Sequence, residues 1–385
     1  MLKFVVIGPV YPYRGGIAHY TSLLSRSLME RGHELHIISF RRQYPSLLYP
    51  GNSDKEPSQS GLRLDANYDL DPIYPWTWIN TAQKIKAIEP QAVIIQWWTT
   101  FWAPALWVLS RMLKKQDIKI IFVIHNVTPH EPQLWDKWLA RNVLRLGDGH
   151  LVQSSNEKVR LLTLLPDAQI TLCPMPEISM FASQDPISKH EAKRRLGFDD
   201  DIPLLLFFGI VRPYKGLKYA IEAVSILRDK GINVHLVVAG EFWEKINYYE
   251  DQISQLSLSG NVTLVNQYIP NEEVANYFTA TDIFIAPYID GTQSASVKIA
   301  MNFELPIIIT RCISDNILDK SRMVRIVPSK DSYELAEAIQ NFIINHQEGG
   351  NFHHQDKGSW IRQVQSIENL AKLGVHNFNH SIRKQ

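Results

Sequence analysis

Short apolar runs rich in Val, Ile and Leu alternate with segments of helical periodicity along most of the chain. In the first half these runs predict strands near 2–7, 33–39, 92–96, 119–124 and 148–152. In the second half they predict strands near 203–208, 234–239, 262–265, 282–286, 306–310 and 323–327. Continuous apolar runs, as opposed to alternating ones, mark parallel strands covered by helices on both faces. The expected class is therefore α/β, with two doubly wound sheets facing a cleft. The rhythm breaks between 174 and 203, where Pro174, Pro176, Pro186 and Pro203 flank a short charged helix, Lys189 to Leu196. That break places a first domain at 1–180 and a second at 181–352. A last helical segment, 353–385, carries a helix near Ser359 to Leu373 and is expected to return to the first domain.

Length agrees with this division, since 385 residues exceed one ordinary core at roughly 150 residues per domain. Net charge is +1, so no global excess points to nucleic acid. Residues 1–170 hold 19 Lys and Arg against 14 Asp and Glu, leaving that part +5 and the remainder −4. A mildly basic first half suits an anionic membrane surface, although a solvated face of that sign is commoner. Two cysteines, Cys173 and Cys312, make neither a disulfide framework nor a metal cluster, which fits a reducing cytoplasm. No run approaches the roughly 18 apolar residues of a membrane span, and the first apolar run is too short for a signal peptide.

The stretch G-I-V-R-P-Y-K-G at 209–216 follows one apolar run and precedes a helical pattern from Leu217 to Leu227. Arg212 and Lys215 thus fall where a strand hands over to a helix. Free N–H groups, the positive end of a helix and two cations there suit a diphosphate. Two exposed cations solvating a loop are the alternative. A second helix start, Thr292 to Ser296, follows the strand D-I-F-I-A-P-Y and aims at the same cleft. Opposite them, Gly15 and Gly16 open a helix whose buried face is Ile17, Tyr20, Leu24 and Leu28.

Other motifs are excluded or left with two readings. The loop from Gly8 to Gly15 is too long for the G-x-G-x-x-G dinucleotide fingerprint, and no P-loop occurs. Asp69 and Asp71, inside a loop-like insert from Arg41 to Trp78, imitate a metal-binding Asp-x-Asp but do not follow a strand in the nucleotide half. Trp97, Trp98, Phe101, Trp102 and Trp107 are either core packing or an aromatic wall for a sugar or a lipid-linked acceptor. His125 stands directly at the carboxyl end of a strand, where open α/β sheets hold ligands. His130 and Glu131 further along that loop read equally well as a surface pair.

Taken together, G-G-I-A-H-Y at 15–20, His125, G-I-V-R-P-Y-K-G at 209–216 and A-M-N-F-E-L-P-I-I-I-T at 300–310 resemble the GT-B-fold retaining glycosyltransferases of family 4. The resemblance covers nearly the whole chain and implies two Rossmann-like domains. It also implies cytoplasmic transfer of a sugar from a UDP- or GDP-linked donor to a saccharide or lipid-linked acceptor, with peripheral membrane contact. No cofactor and no Asp-x-Asp metal are implied. By position, Arg212 and Lys215 would hold and stabilise the diphosphate, Gly15 and Gly16 would face it, and His125 would contact the transferred sugar. Tyr268 and Ile269 would border the nucleobase. Members usually carry two Glu residues eight positions apart, matching Gly291 and Ile299 here, so both carboxylates are missing. A sub-branch with a Thr-Gln-Ser loop is similar to 292–294, which makes Gln293 and Ser294 the substitutes; Glu304 is too far along the helix. The alternative is a non-catalytic nucleotide-sugar-binding or scaffold protein of the same fold. An epimerase or a pyridoxal-dependent phosphorylase would need an acid/base set or a Schiff-base lysine that the sequence does not display.

Overall fold

The computed structural model describes residues 1–45, 49, 51–58, 62–129, 133–181, 187–315, 317–347 and 359–372. His130, Glu131, Pro186 and the boundary expected at 352–353 lie outside the described residues. The first sheet contains β1 (Lys3–Ile7), β2 (Glu34–Phe40), β3 (Asn67–Leu70), β4 (Ala92–Trp97), β5 (Lys119–Ile124), β6 (Gly149–Val152) and β7 (Ile170–Leu172). Its order is β3-β2-β1-β4-β5-β6-β7. The second contains β8 (Leu204–Phe208), β9 (His235–Ala239), β10 (Val262–Val265), β11 (Ile283–Ala286), β12 (Ile307–Thr310) and β13 (Val324–Val327), in the order β10-β9-β8-β11-β12-β13. Every strand pair is parallel.

Helices α1 (Gly16–Glu30), α2 (Pro75–Ile88), α3 (Ala103–Lys114), α4 (Asp136–Leu144) and α5 (Ser155–Leu164) connect strands of the first sheet. α6 (Lys189–Leu196) lies between the sheets in sequence. α7 (Leu217–Asp229), α8 (Asn247–Gln255), α9 (Asn271–Ala280) and α10 (Ala295–Asn302) serve the second sheet, and α11 (Ser332–Gln347) and α12 (Trp360–Lys372) follow it. The architecture is the expected pair of doubly wound α/β sheets. In each sheet the order reverses beside the first strand, at β1/β4 and at β8/β11. Ligands in such sheets sit outside the carboxyl ends of the strands at these reversals. Gly15–Gly16 and the 209–216 turn follow the first strand at each reversal.

Two strands escape the apolar pattern. β3 reads N-Y-D-L, with Asn67 and Tyr68 exposed, and shifts register against β2. β7 is three half-buried residues. Both are edge strands, half solvated, so neither needs the continuous apolar run that marks the centre. The insert expected to be loop from Arg41 to Trp78 therefore contains a strand and the start of α2. Asp69 bonds to Lys84 at 2.8 Å and Asp71 to Arg42 at 2.7 Å. Asp69 thus ties β3 to α2, and Asp71, just after β3, ties to Arg42.

α12 lies against α1, β5 and β6 of the first sheet, where Val364, Ile367 and Leu370 are buried. Its polar anchor is Gln363, which has no exposed surface. The Gln363 amide accepts from the Tyr20 hydroxyl at 2.9 Å and donates to the carbonyls of Cys173 at 3.1 Å and Pro174 at 2.7 Å. Removing it strands those groups without water, and such a loss typically costs 1–3 kcal/mol for an unmade buried bond. Gln363→Ala should lower unfolding free energy by about 2–3 kcal/mol in urea titration. A change under about 0.5 kcal/mol would show that the anchor is dispensable.

Candidate active site

The carboxyl ends of the two sheets enclose a cleft of about 320 Å³. Gly15, Gly16, His125, Arg212, Lys215, Tyr268, Ile269, Gln293 and Ser294 all line it. The structure therefore brings every site residue expected from the sequence to one place. The Trp cluster is elsewhere. Trp97, Trp98 and Trp102 are buried in the first core, their indole N–H groups donating to Val127 O, Tyr44 Oη and Gln43 O. The packing reading holds for them, and no tryptophan wall from this segment faces the cleft.

Lys215 is delivered by a turn of tight geometry. After β8 the chain passes Arg212, makes one 3-10 turn over Pro213–Lys215, and enters α7 through Gly216 at φ 71°. A Cβ on Gly216 would lie 2.1 Å from the Pro287 carbonyl oxygen, so only glycine permits this approach. The Lys215 side chain is thereby carried inward and is 8% exposed. Its ammonium stands 5.5 Å from the centre of the Tyr288 ring, and no carboxylate pairs with it among the described residues. Burial pushes its pKa below that of an ordinary lysine, and Arg212 nearby adds to the effect. Arg212 lies 5.5 Å from the Tyr214 ring and 5.8 Å from that of Trp243.

The helix termini around this cation converge. Gly15 caps α1 at φ 98°, and a Cβ on Gly16 would come within 3.0 Å of the Ala295 Cβ at the start of α10. Two N-terminal dipoles thus meet across the cleft, each adding partial positive charge. Ser294 caps α10 by accepting from Val297 N and also meets the Tyr288 hydroxyl at 3.1 Å. At position 291 a Cβ would fall 2.7 Å from Ile313 Cγ2, and Ile299 is buried. Gly291 and Ile299 therefore bring no carboxylate to the cleft, and Arg212 and Lys215 leave it cationic.

His125 sits at the end of β5, 9% exposed, with its Nε2 2.8 Å from Gln96 Oε1 and its ring edge-on to Tyr20 at 4.9 Å. Burial lowers its pKa to about 3, so the imidazole is neutral near pH 7 and Nε2–H donates to Gln96. A neutral ring can hold a sugar hydroxyl but cannot supply a proton as imidazolium.

The 292–293 loop crosses to the first sheet. Thr292 Oγ1 donates to Asn126 Oδ1 at 2.9 Å, with the His125 carbonyl at 3.2 Å as the alternative acceptor, and Gln293 Nε2 donates to the Gln153 carbonyl. Gln293 Oε1 and Gln153 Nε2 are buried with no partner among the described residues. One is an acceptor and the other a donor, the pair a sugar hydroxyl can satisfy. Gln153, Asn126, Glu241 and Trp243 also line the cleft and were missed from sequence. Gln153 directly follows β6 and Glu241 stands two residues beyond β9, so the strand-end rule used for His125 would have found them. Glu241 is the one acidic lining residue among those described, and it is bound to Arg14, to Asn52 N at 2.7 Å and to the Trp243 indole at 3.2 Å. Tyr268 donates to Glu56 at 2.7 Å, and Asn271 N donates to Ser58 Oγ at 2.6 Å. Residues 51–58 of the first half therefore strap the loop that follows β10 in the second.

Comparison with known proteins follows this geometry. Residues 14–175 match the family model described as Glycosyltransferase Family 4, and residues 202–345 match the one described as Glycosyl transferases group 1. The structure of Anabaena HepE in complex with UDP superposes with TM-score 0.69 at 14% identity, covering 96% of this chain and 99% of that one. The fold is GT-B. A second GT-B neighbour is sucrose-phosphate synthase of Thermosynechococcus elongatus, with TM-score 0.66, 17% identity and 96% of each chain covered. In sequence, 156 residues are 25% identical to the putative teichuronic acid biosynthesis glycosyltransferase TuaC of Bacillus subtilis, covering 40% of this chain. The chain spans 36% of that relative's length.

In this GT-B cleft the protonated form of Lys215 is disfavoured by folding, because its pKa is lower folded than unfolded. Below the folded pKa that penalty is fully present; it fades as pH rises towards the unfolded lysine value. Lys215→Met should therefore raise the melting temperature of the ligand-free protein near pH 7 in differential scanning fluorimetry, with the gain shrinking at alkaline pH. A lowered melting temperature would mean that the ammonium is stabilised by its surroundings.

Proposed function

We propose that the chain is a retaining glycosyltransferase that moves a hexosyl group from a nucleoside diphosphate donor to a saccharide or lipid-linked acceptor. The observation that carries this reading is Lys215, a buried cation without a carboxylate partner among the described residues, set between two helix N-termini and beside Arg212. A diphosphate provides the missing negative charge. UDP is the first candidate nucleotide, supported by the HepE complex, and GDP the second. Tyr268 and Ile269 border the base, and Gly15 and Gly16 admit the phosphates to the α1 terminus.

In the reaction the bond from the sugar anomeric carbon to the phosphate oxygen breaks and a bond to the acceptor oxygen forms on the same face. The acceptor's proton passes to the departing phosphate oxygen. Charge grows on that oxygen, and Lys215, Arg212 and the helix ends stabilise it electrostatically without an Asp-x-Asp metal. His125, neutral throughout, holds a sugar hydroxyl, while Gln153 and Gln293 take the place of the absent glutamates. Epimerisation would call for a free acid/base pair, whereas the acidic lining residue Glu241 is committed to three partners. The scaffold alternative draws on the two missing glutamates, against which Lys215, Arg212 and His125 stand together in one cleft. Among the described residues no helix is long and apolar enough to cross a membrane, so a lipid-linked acceptor would be met from the surface.

A panel of UDP-, GDP- and ADP-sugars in thermal-shift assays tests donor binding before any acceptor is known. UDP- or GDP-sugars should raise the melting temperature, and Lys215→Ala should lower turnover at least about a hundredfold while the protein stays folded. No shift with any nucleotide would overturn the donor site and favour the scaffold alternative. Near-normal turnover in Lys215→Ala would remove that lysine from the mechanism.

A further inference from the structure

The loop from Thr292 to Ser296 brings three hydroxyl side chains to the cleft, and two of them are already spent. Thr292 Oγ1 donates across to the first half, and Ser296 Oγ donates to the Phe208 carbonyl at 3.1 Å. Ser294 differs. Its Oγ accepts from Val297 N at 3.4 Å and stands 3.1 Å from the Tyr288 hydroxyl. Either oxygen can be the donor in that contact, but the two hydroxyls share a single bond. A hydroxyl has one O–H and two lone pairs, so one O–H of the pair is left without an acceptor among the described residues. Both residues line the cleft beside Lys215 and Arg212, Ser294 7% and Tyr288 4% exposed.

Tyr288 itself is firmly held. Its carbonyl accepts from Thr310 Oγ1 at 2.6 Å, Ser329 Oγ at 3.1 Å and Cys312 Sγ at 3.4 Å. Next to it, Ile289 N donates to the Tyr214 carbonyl at 2.7 Å, and the Pro287 carbonyl lies against Gly216 in the turn that delivers Lys215. The ring meets Tyr214 edge-on at 5.9 Å and turns its face to the Lys215 ammonium. One loop therefore fixes both the buried cation and the hydroxyl at the start of α10. Burial pushes the Tyr288 phenol up to about 12, so it keeps its proton and stays a hydrogen-bond donor near neutral pH. Unlike a carboxylate, a phenol brings no negative charge to compete with a bound anion.

We propose that Tyr288 is a positioning residue for the diphosphate: its hydroxyl donates to Ser294 Oγ and so turns the Ser294 O–H towards the phosphate oxygens that Lys215 faces. With Val297 N–H and Tyr288 O–H on its two lone pairs, Ser294 has its own proton free for the ligand. That donor is neutral and already oriented when charge grows on the leaving phosphate, and it adds to the cation and the helix end beside it. Packing accounts for the Tyr288 ring but not for its hydroxyl, since phenylalanine fills the same space and needs no buried partner. The inference rests on the diphosphate reading of the cleft and goes beyond it in what Tyr288 does.

The test is calorimetry of the nucleoside diphosphate that the wild type binds, UDP or GDP, on Tyr288→Phe, Ser294→Ala and the double variant. The melting temperature of each ligand-free protein checks folding. Tyr288→Phe should stay folded and bind at least about fivefold more weakly, and Ser294→Ala at least about tenfold, as expected for a lost hydrogen bond to a charged group. In the Ser294→Ala background, Tyr288→Phe should change affinity by less than about twofold, because its effect passes through Ser294. Unchanged affinity in Tyr288→Phe would overturn the proposal and leave the donor site standing. Equal losses from Tyr288→Phe with and without Ser294 would also overturn it, assigning the tyrosine to packing around Lys215. No binding of UDP or GDP by the wild type would remove the diphosphate reading and this role with it.

Discussion

Burying a lysine ammonium without a carboxylate costs several kcal/mol, and this fold buries Lys215 with no carboxylate partner among the described residues. The costs are visible in the surroundings of Lys215. Gly216 must adopt a left-handed conformation to bring the turn against Pro287, and Tyr288 offers only a ring face to the charge. Gly16 and Ala295 close to contact distance, so that two helix termini add positive potential where it is already high. On the proposed reading, a bound diphosphate supplies the negative charge that this arrangement leaves unmet.

The same constraint explains what is absent from the cleft. A carboxylate near Lys215 would stabilise the free enzyme and compete with the diphosphate. Gly291 and Ile299 leave none, and Glu241 is held away by Arg14, Asn52 and Trp243. On the proposed reading, recognition of the sugar falls to neutral groups. Gln153 and Gln293, from opposite halves, leave one donor and one acceptor unspent among the described residues, and His125 is kept neutral by burial. Contacts between the halves, through Thr292, Gln293 and the 51–58 strap, set the distance between these groups.

Much of this was legible in the chain because central parallel strands must be apolar on both faces. Runs such as Leu204–Phe208 and Ile120–Ile124 could hardly be anything else, and the turns after them inherit their positions. Where half the environment is water the signal fades, as at β3 and β7. Contacts made by the aperiodic segment 51–58 had no signature at all, since neither Glu56 nor Ser58 belongs to a repeating pattern. Composition alone does not separate the tryptophans. Trp97 and Trp102 are core, whereas Trp76 and Trp138 are surface, and only the burial of their helix neighbours distinguishes them. On α2 the buried positions are Thr77, Trp78, Thr81, Ala82 and Ile85, leaving Trp76 and Ile79 outside. The two rows differ more in side-chain position than in polarity.

Calorimetry of UDP binding in buffers of different ionisation enthalpy tests most directly whether Lys215 is the counter-charge of the diphosphate. At a pH between the folded lysine's lowered pKa and the ordinary value, the bound anion should raise that pKa and draw a proton from solution. The account predicts proton uptake that disappears in Lys215→Met together with most of the affinity. UDP binding of full strength in Lys215→Met, or proton uptake that survives the substitution, would contradict it.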